Sequence, residues 1–175
     1  MDRDTFRSRV VKLIQKSKKA LRLYTSMSRL NTGEASELAD KQLDEWKSVN
    51  QILIRTLTEN LERLGNKELT ERVFYLRNYF YSNWRAAEAE MKSKLDSLSS
   101  AASNEDFIKC AGLSRDLAVL KSKTQASQAA CHELQTIIDQ NKLSTPVIDQ
   151  DKMPELEEDS VAEPMMAKVI PLWGR

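Results

Sequence analysis

The residue types that carry acid–base, metal or nucleophilic chemistry are few in this chain and are not spaced as a catalytic site requires. The single histidine, His132, stands beside Glu133 with no second histidine to complete a metal-binding pair. On one helix the two cysteines, Cys110 and Cys131, would lie about 32 Å apart, too far for an intrachain disulfide. The four glycines are scattered singly and form no phosphate loop. The sequence therefore predicts a protein that is not an enzyme and that uses no cofactor or metal.

A more specific chemical pattern is the aromatic and cationic stretch over residues 72–85, which holds six of the eleven aromatic residues. Successive residues of a helix point in different directions, so some of these rings should be exposed beside arginines. Tyrosine and arginine are enriched where proteins bind each other. Burial of most of the rings in a helical core is the alternative interpretation. The predicted partner-binding residues of this stretch are Arg72, Tyr75, Arg77, Tyr79, Tyr81 and Arg85.

A row of cations occurs in the first thirty residues, which carry nine Lys or Arg against two Asp, a net charge of +7. Arg9, Lys12, Lys16 and Lys19 recur at intervals of three or four residues and would share one helix face. Such a row could follow a nucleic-acid backbone or an anionic membrane surface. It could instead be solvated, or pair in part with the acidic residues that open the next helix.

The end of the chain differs in composition, because all four prolines lie after residue 145. Residues 149–163 carry seven acids against one lysine, a composition that predicts disorder. The last eleven residues are mainly apolar and are typical of a short peptide that docks on a partner. The alternatives are that this segment folds back on its own helices or has no binding role. A linked hypothesis is that the acidic stretch lies over the basic first helix and competes with whatever anion binds there. The predicted docking residues are Val169, Ile170, Leu172 and Trp173.

The elements that must position these residues are helices, since residues 1–145 lack proline and repeat apolar residues at intervals of three and four. The predicted fold is all-α: an elongated antiparallel four-helix bundle, or paired helical hairpins, with coiled-coil-like packing. A helical domain is expected over residues 1–142, followed by a disordered acidic tail at 143–175. The four helices are predicted at about 4–30, 34–64, 67–99 and 104–141. Their apolar stripes, which predict the core, include Met27 and Leu95.

Tight connections between these helices predict antiparallel neighbours in register. Counting outwards from Gly65 pairs Trp46 with Trp84 across the second and third helices. Counting outwards from the next connection pairs Trp84 with Leu120, and Ser103 is expected to cap the fourth helix.

These patterns favour a cytoplasmic, non-enzymatic helical interaction or adaptor protein, which binds and could regulate a protein partner. The competing hypothesis is a nucleic-acid-binding subunit of a ribonucleoprotein or DNA-associated complex, with the cation row on phosphates and Tyr79 or Tyr81 stacking on bases. Small side chains over residues 124–130 modestly favour a homo-oligomer. No apolar run approaches the roughly 20 residues of a transmembrane helix, and no signal peptide is apparent.

Overall fold

The residues that the structure describes fold into four long α-helices, as the apolar periodicity predicts, and the all-α bundle is confirmed. The computed structural model describes residues 3–30 and 34–146. The predicted cap at Asn31 and most of the predicted tail therefore lie outside the described residues. The helices are α1 (Arg3–Leu30), α2 (Glu34–Thr58), α3 (Asn66–Ser103) and α4 (Phe107–Gln140).

The helices pack as two hairpins that share one central contact. α1 packs on α2, α3 packs on α4, and α2 also lies against α4. α1 and α4 contact each other little, although both flank α2. A groove therefore runs between α1 and α4 with α2 as its floor. Within the described ranges, no helix has the length and apolar content that crossing a bilayer requires.

The hydrophobic core occupies one end of the bundle, where α1 and α3 begin and α2 and α4 end. Phe6, Leu57, Leu69, Phe80 and Leu134 are completely buried there. Burying a side chain of this size stabilises the fold by about 1.5–3 kcal/mol relative to leaving it exposed. We call this half of the molecule the core end.

The opposite half, which we call the open end, is much less tightly packed. It comprises residues 20–30 of α1, 36–45 of α2, 91–103 of α3 and 107–118 of α4. Of the described residues in these ranges, Ala101 alone is buried. The cooperative packing that holds the helices together is thus concentrated at the core end.

α2 ends at Thr58, six residues before the predicted end, and an irregular connection follows up to Gly65. Asn60 has a left-handed backbone (φ 52°), which stops helical propagation. The freed carbonyls of Thr56 and Glu59 accept hydrogen bonds from Nη1 of Arg72 at 2.9 and 2.7 Å. The last carbonyls of a helix lack partners within it, so the arginine satisfies them. The end of α2 is set by this tertiary contact rather than by apolar spacing.

The connection between α3 and α4 also lies later than predicted. Serine and alanine do not stop α3, which continues through Ser103, and the Ser103 hydroxyl donates to the Ser99 carbonyl. The left-handed Glu105 (φ 57°) makes the turn. The residue that caps α4 is Asp106, whose carboxylate accepts the Lys109 backbone N–H at 3.0 Å, and not Ser103.

The predicted tryptophan register differs from the observed packing. Trp46 packs against Tyr24 of α1, with ring centroids 5.9 Å apart, and not against Trp84. The Trp84 ring lies 6.0 Å from His132 of α4, further along α4 than the predicted partner Leu120. The cause is that α2 contacts α3 little and that α3 runs past its predicted end, which shifts its pairing towards the α4 C-terminus.

Candidate protein-interaction surfaces

Arg72 does not lie on an exposed surface, which corrects its predicted place there. It is only 8% exposed, and its guanidinium is occupied by the carbonyls at the end of α2. A buried guanidinium needs such partners, because leaving charged donors unpaired is costly. Arg72 therefore belongs to the scaffold. Its role depends on where α2 ends, which the local sequence does not reveal.

Four of the aromatic and cationic residues of α3 form a continuous surface, which we call the α3 patch: Arg77, Tyr81, Trp84 and Arg85. Tyr81 is 47% exposed, and the Arg77 guanidinium lies 6.0 Å from its ring centroid. Trp84 meets the Tyr81 ring edge-on at 5.8 Å. Arg85 is exposed and pairs with Glu88 at 2.7 Å. The predicted binding role of Arg77, Tyr81 and Arg85 stays a prediction.

Tyr75 and Tyr79 are half-buried, which agrees in part with the alternative interpretation that most of these rings are buried in the helical core. The Tyr79 ring packs against the core and lies edge-on to Phe80 at 5.2 Å. Burial raises the pKa of the Tyr75 hydroxyl above its ordinary value. Both side chains contribute mainly to packing within the molecule, so any partner would meet only part of each ring.

The predicted cation row lies on one face of α1, and most of it is accessible. Lys12, Lys16 and Lys19 are exposed, and Arg9 is half-buried. Lys16 pairs with Glu133 of α4 across the groove. Within the described part of the chain, Lys12 and Lys19 form no ion pair with the acids of α2, although Lys19 was expected to pair with them in part.

An apolar continuation of this row was missed by the sequence reasoning. Leu23, Met27 and Leu30 follow Lys19 at intervals of four, four and three residues, and they are 58%, 43% and 81% exposed. We call the combined face the α1 seam: Arg9, Lys12, Lys16 and Lys19, then Leu23, Met27 and Leu30. Met27 was expected in the core. It is exposed because α4, the helix that would cover it, contacts α1 little.

Further exposed apolar side chains lie at the same open end. Leu95 is 51% exposed although its spacing placed it in the core. α3 packs mainly on α4, so the sides of α3 that face away from α4 stay uncovered. Phe107 and Ile108, at the start of α4, are 77% and 89% exposed. Monomeric proteins rarely expose large contiguous apolar areas, so a concentration of such residues commonly marks an interaction surface.

The groove beside the α1 seam provides a concave apolar surface with a volume of about 220 Å³. Small side chains of α1 and α4 leave this space, and the Lys16–Glu133 pair lies at its rim. The small-residue stretch of α4 thus lines an under-filled site through its alanines, while Thr124 and Ser127 of the same stretch are buried. The small lining residues are Ser17, Ala20, Ala126, Ala129 and Ala130, and the larger ones include Tyr24 and Trp46.

The histidine and both cysteines lie on α4. His132 is exposed and contacts the edge of Trp84. Burial raises the pKa of the Cys131 thiol, and the nearby Arg77 offsets this only in part. Cys110 is half-buried on a different part of α4. Among the described residues, no three side chains of the metal-binding types cluster.

The predicted docking residues Val169, Ile170, Leu172 and Trp173 lie outside the described residues, and their role stays a prediction. No protein-family model, curated protein or solved structure matches this chain.

Proposed function

We propose that this chain is a non-enzymatic interaction protein whose α1 seam and adjoining groove receive an acidic, amphipathic segment of a protein partner. The observation that carries the proposal is the exposure of Leu23, Met27 and Leu30 on one helix face, directly in line with Lys12 and Lys19. Apolar side chains at intervals of three and four are the usual anchors for a helix laid in a groove. The cations favour acidic residues at one end of that segment.

The α3 patch supplies a second candidate contact on a different helix, which supports an adaptor role. Tyr81 offers exposed aromatic area with a polar tip, the half-buried Trp84 ring lies beside it, and Arg77 and Arg85 flank them. Residues of these types dominate the energetics of many protein interfaces. A protein with two such surfaces could hold two partners at once.

The proposal is tested by comparing the proteins retained by three forms of the full-length chain. The first is the natural sequence, the second carries Leu23→Asp and Leu30→Asp, and the third carries Tyr81→Ser. Quantitative mass spectrometry should show at least one partner lost from the seam variant but kept by the patch variant. Circular dichroism must show unchanged helicity, which we expect because all three positions are exposed.

Retention of the same proteins, in the same amounts, by all three forms would contradict the proposal. Loss of one partner set from the seam variant and of a different set from the patch variant would support the adaptor role specifically. The variant Leu95→Asp serves as a control, because it introduces the same charge at another exposed apolar residue of the open end.

Nucleic-acid binding is a second candidate, favoured by the accessibility of Lys12, Lys16 and Lys19 along one helix face. It predicts that a generic duplex or single strand binds at 50 mM salt and that its affinity falls steeply by 200 mM. Lys12→Glu combined with Lys19→Glu should then remove most of the binding. Absence of binding at low salt would exclude this candidate.

A further inference from the structure

The α1 seam changes character once along its length, from cationic to apolar. Counted from the core end, the exposed cations Lys12, Lys16 and Lys19 come first, and the exposed Leu23, Met27 and Leu30 follow. At 1.5 Å per residue the seam from Arg9 to Leu30 is about 32 Å long, with its cationic part taking about 15 Å. An occupant that matches both parts must place acids at the core end and apolar groups towards the open end.

The last part of the sequence has this order of residue types. Residues 149–163 carry seven acids and one lysine, and residues 165–173 are predominantly apolar. Counted from Pro146, where the described chain ends, acids therefore come first and apolar residues second. The order of charged and apolar residues after Pro146 thus matches the order along the α1 seam, and the charges of the two are opposite in sign.

The described chain also ends at the correct end of the molecule. Pro146 shares a surface depression with Asn66 at the start of α3. α1 begins nearby, since the Arg7 guanidinium donates to the Leu64 carbonyl just before α3. Asp149 follows Pro146 by three residues, and fifteen extended residues span up to about 50 Å. The length of residues 149–163 therefore exceeds the cationic part of the seam.

We propose that residues 149–173 of this chain occupy the α1 seam, the acids on Lys12 and Lys19 beside the Lys16–Glu133 pair, and the apolar residues on Leu23, Met27 and Leu30. A tethered segment meets its site at an effective concentration on the order of millimolar. An intrinsic dissociation constant below about 1 mM is then sufficient for most seams to be occupied. The α1 seam is consequently covered by the chain's own end until a stronger binder displaces it.

A second copy of the chain is a poorer occupant on the same observations. Two seams aligned in parallel would place Lys12, Lys16 and Lys19 of each copy beside the same cations of the other, which is repulsive. Aligned antiparallel, cations would face Leu23, Met27 and Leu30. Neither arrangement offers the acids that the cationic half of the seam requires.

The inference rests on the proposed function, because it assigns a competitor to the same seam. An external acidic segment has to displace residues 149–173. Its apparent affinity is therefore its intrinsic affinity multiplied by the fraction of seams that remain free. Changes that weaken the internal contact, such as raised salt, would then increase partner binding until they weaken the partner's own ion pairs.

The first experiment is zero-length carbodiimide cross-linking of the full chain at low concentration, analysed by mass spectrometry of the monomer. The expected cross-links join Lys12, Lys16 or Lys19 to acids within residues 149–163. Cross-links from that acidic range to Lys92, Lys109 or Lys121 alone would overturn the proposal, because those exposed lysines lie on α3 and α4. Absence of any cross-link to the seam lysines would overturn it equally.

The second experiment measures trypsin cleavage after Lys152 and Lys168 in the full chain. The seam variant carries Lys12→Glu, Lys16→Glu and Lys19→Glu. A control variant carries Lys92→Glu, Lys109→Glu and Lys121→Glu, and so has the same net charge. We expect cleavage at both sites to be about tenfold faster in the seam variant and unchanged in the control, since proteolysis follows the population of the undocked form.

Equal cleavage rates in the natural chain and both variants would overturn the proposal, provided circular dichroism shows that all are folded. The two proposals fail separately. If cleavage is unaffected but the Leu23→Asp, Leu30→Asp variant loses a partner, the seam binds a partner and residues 149–173 do not cover it. If cleavage responds but no partner is lost, the seam serves only the chain's own end.

Discussion

At the scale of single residues, the same side chain has opposite fates depending on what its neighbours leave unsatisfied. Arg72 and Arg85 lie in one aromatic-rich stretch, and the sequence pattern predicts an exposed, partner-binding position for both. Arg72 meets two carbonyls freed by the end of α2 and is buried, whereas Arg85 forms an exposed pair with Glu88. Helical periodicity alone could predict that some rings of this stretch are exposed and that the cation row shares one helix face. The burial of Arg72 could not, because its partners are sixteen and thirteen residues away.

Replacing Arg72 should therefore destabilise the protein far more than replacing Arg85. Arg72→Met removes two charge-assisted hydrogen bonds and leaves the carbonyls of Thr56 and Glu59 without their donor. We expect a loss of roughly 2–3 kcal/mol in the free energy of unfolding, measured by urea denaturation. Arg85→Met is the matched control and should change it by less than about 0.5 kcal/mol. Similar losses for both variants would show that Arg72 does not stabilise the end of α2.

At the scale of elements, the number and order of the helices could be predicted from apolar spacing, but two of their ends could not. α2 stops at Thr58 because Asn60 turns the backbone and Arg72 donates hydrogen bonds to the freed carbonyls of Thr56 and Glu59. α3 continues through Ser103, and the chain turns only at the left-handed Glu105. Helix ends depend on capping contacts and on single left-handed residues, and several positions in each connection could have supplied them.

Asp106→Ala tests the cap that begins α4. The substitution removes the carboxylate that accepts the Lys109 backbone N–H, so we expect a loss of about 1 kcal/mol in the free energy of unfolding. Asp96→Ala, at an exposed position inside α3, is the control and should lie within about 0.5 kcal/mol of the natural chain. If Ser103 were the true cap, Ser103→Ala would lower the free energy of unfolding more than Asp106→Ala does.

At the scale of the whole molecule, the two ends of the bundle differ in how much apolar surface they bury. The sequence predicts a stripe along each full helix length, so Met27 and Leu95 were expected in the core. The stripes are present, but α1 and α4 contact each other little and the open end is left unfilled. Which parts of an amphipathic helix find a neighbour is decided by the arrangement of all four helices, which periodicity does not specify.

Hydrogen–deuterium exchange should reveal this difference directly. Amides of residues 69–80 and 130–138, which carry core side chains, should exchange only through global unfolding. Amides of residues 91–100 and 110–118 lie beside few buried side chains and should exchange at least about tenfold faster by local opening. Equal protection along the whole of α3 would contradict a core that is confined to one end.

The weak contact between α1 and α4 also has a mechanical consequence. The α1–α2 hairpin and the α3–α4 hairpin are joined by apolar packing at the core end, with Ser17 as the last buried residue of α1, and further along by the hydrogen bond that the Gln42 side chain donates to the Ala118 carbonyl at 3.2 Å. Leu30 lies about 20 Å beyond Ser17 along the helix. A rotation of α1 by roughly 10° about Ser17 would displace Leu30 by about 3.4 Å, close to the thickness of an aromatic ring. We expect a side chain that enters the groove near Tyr24 and Trp46 to move α1, because the Gln42 bond holds α2 to α4 while α1 and α4 contact each other little.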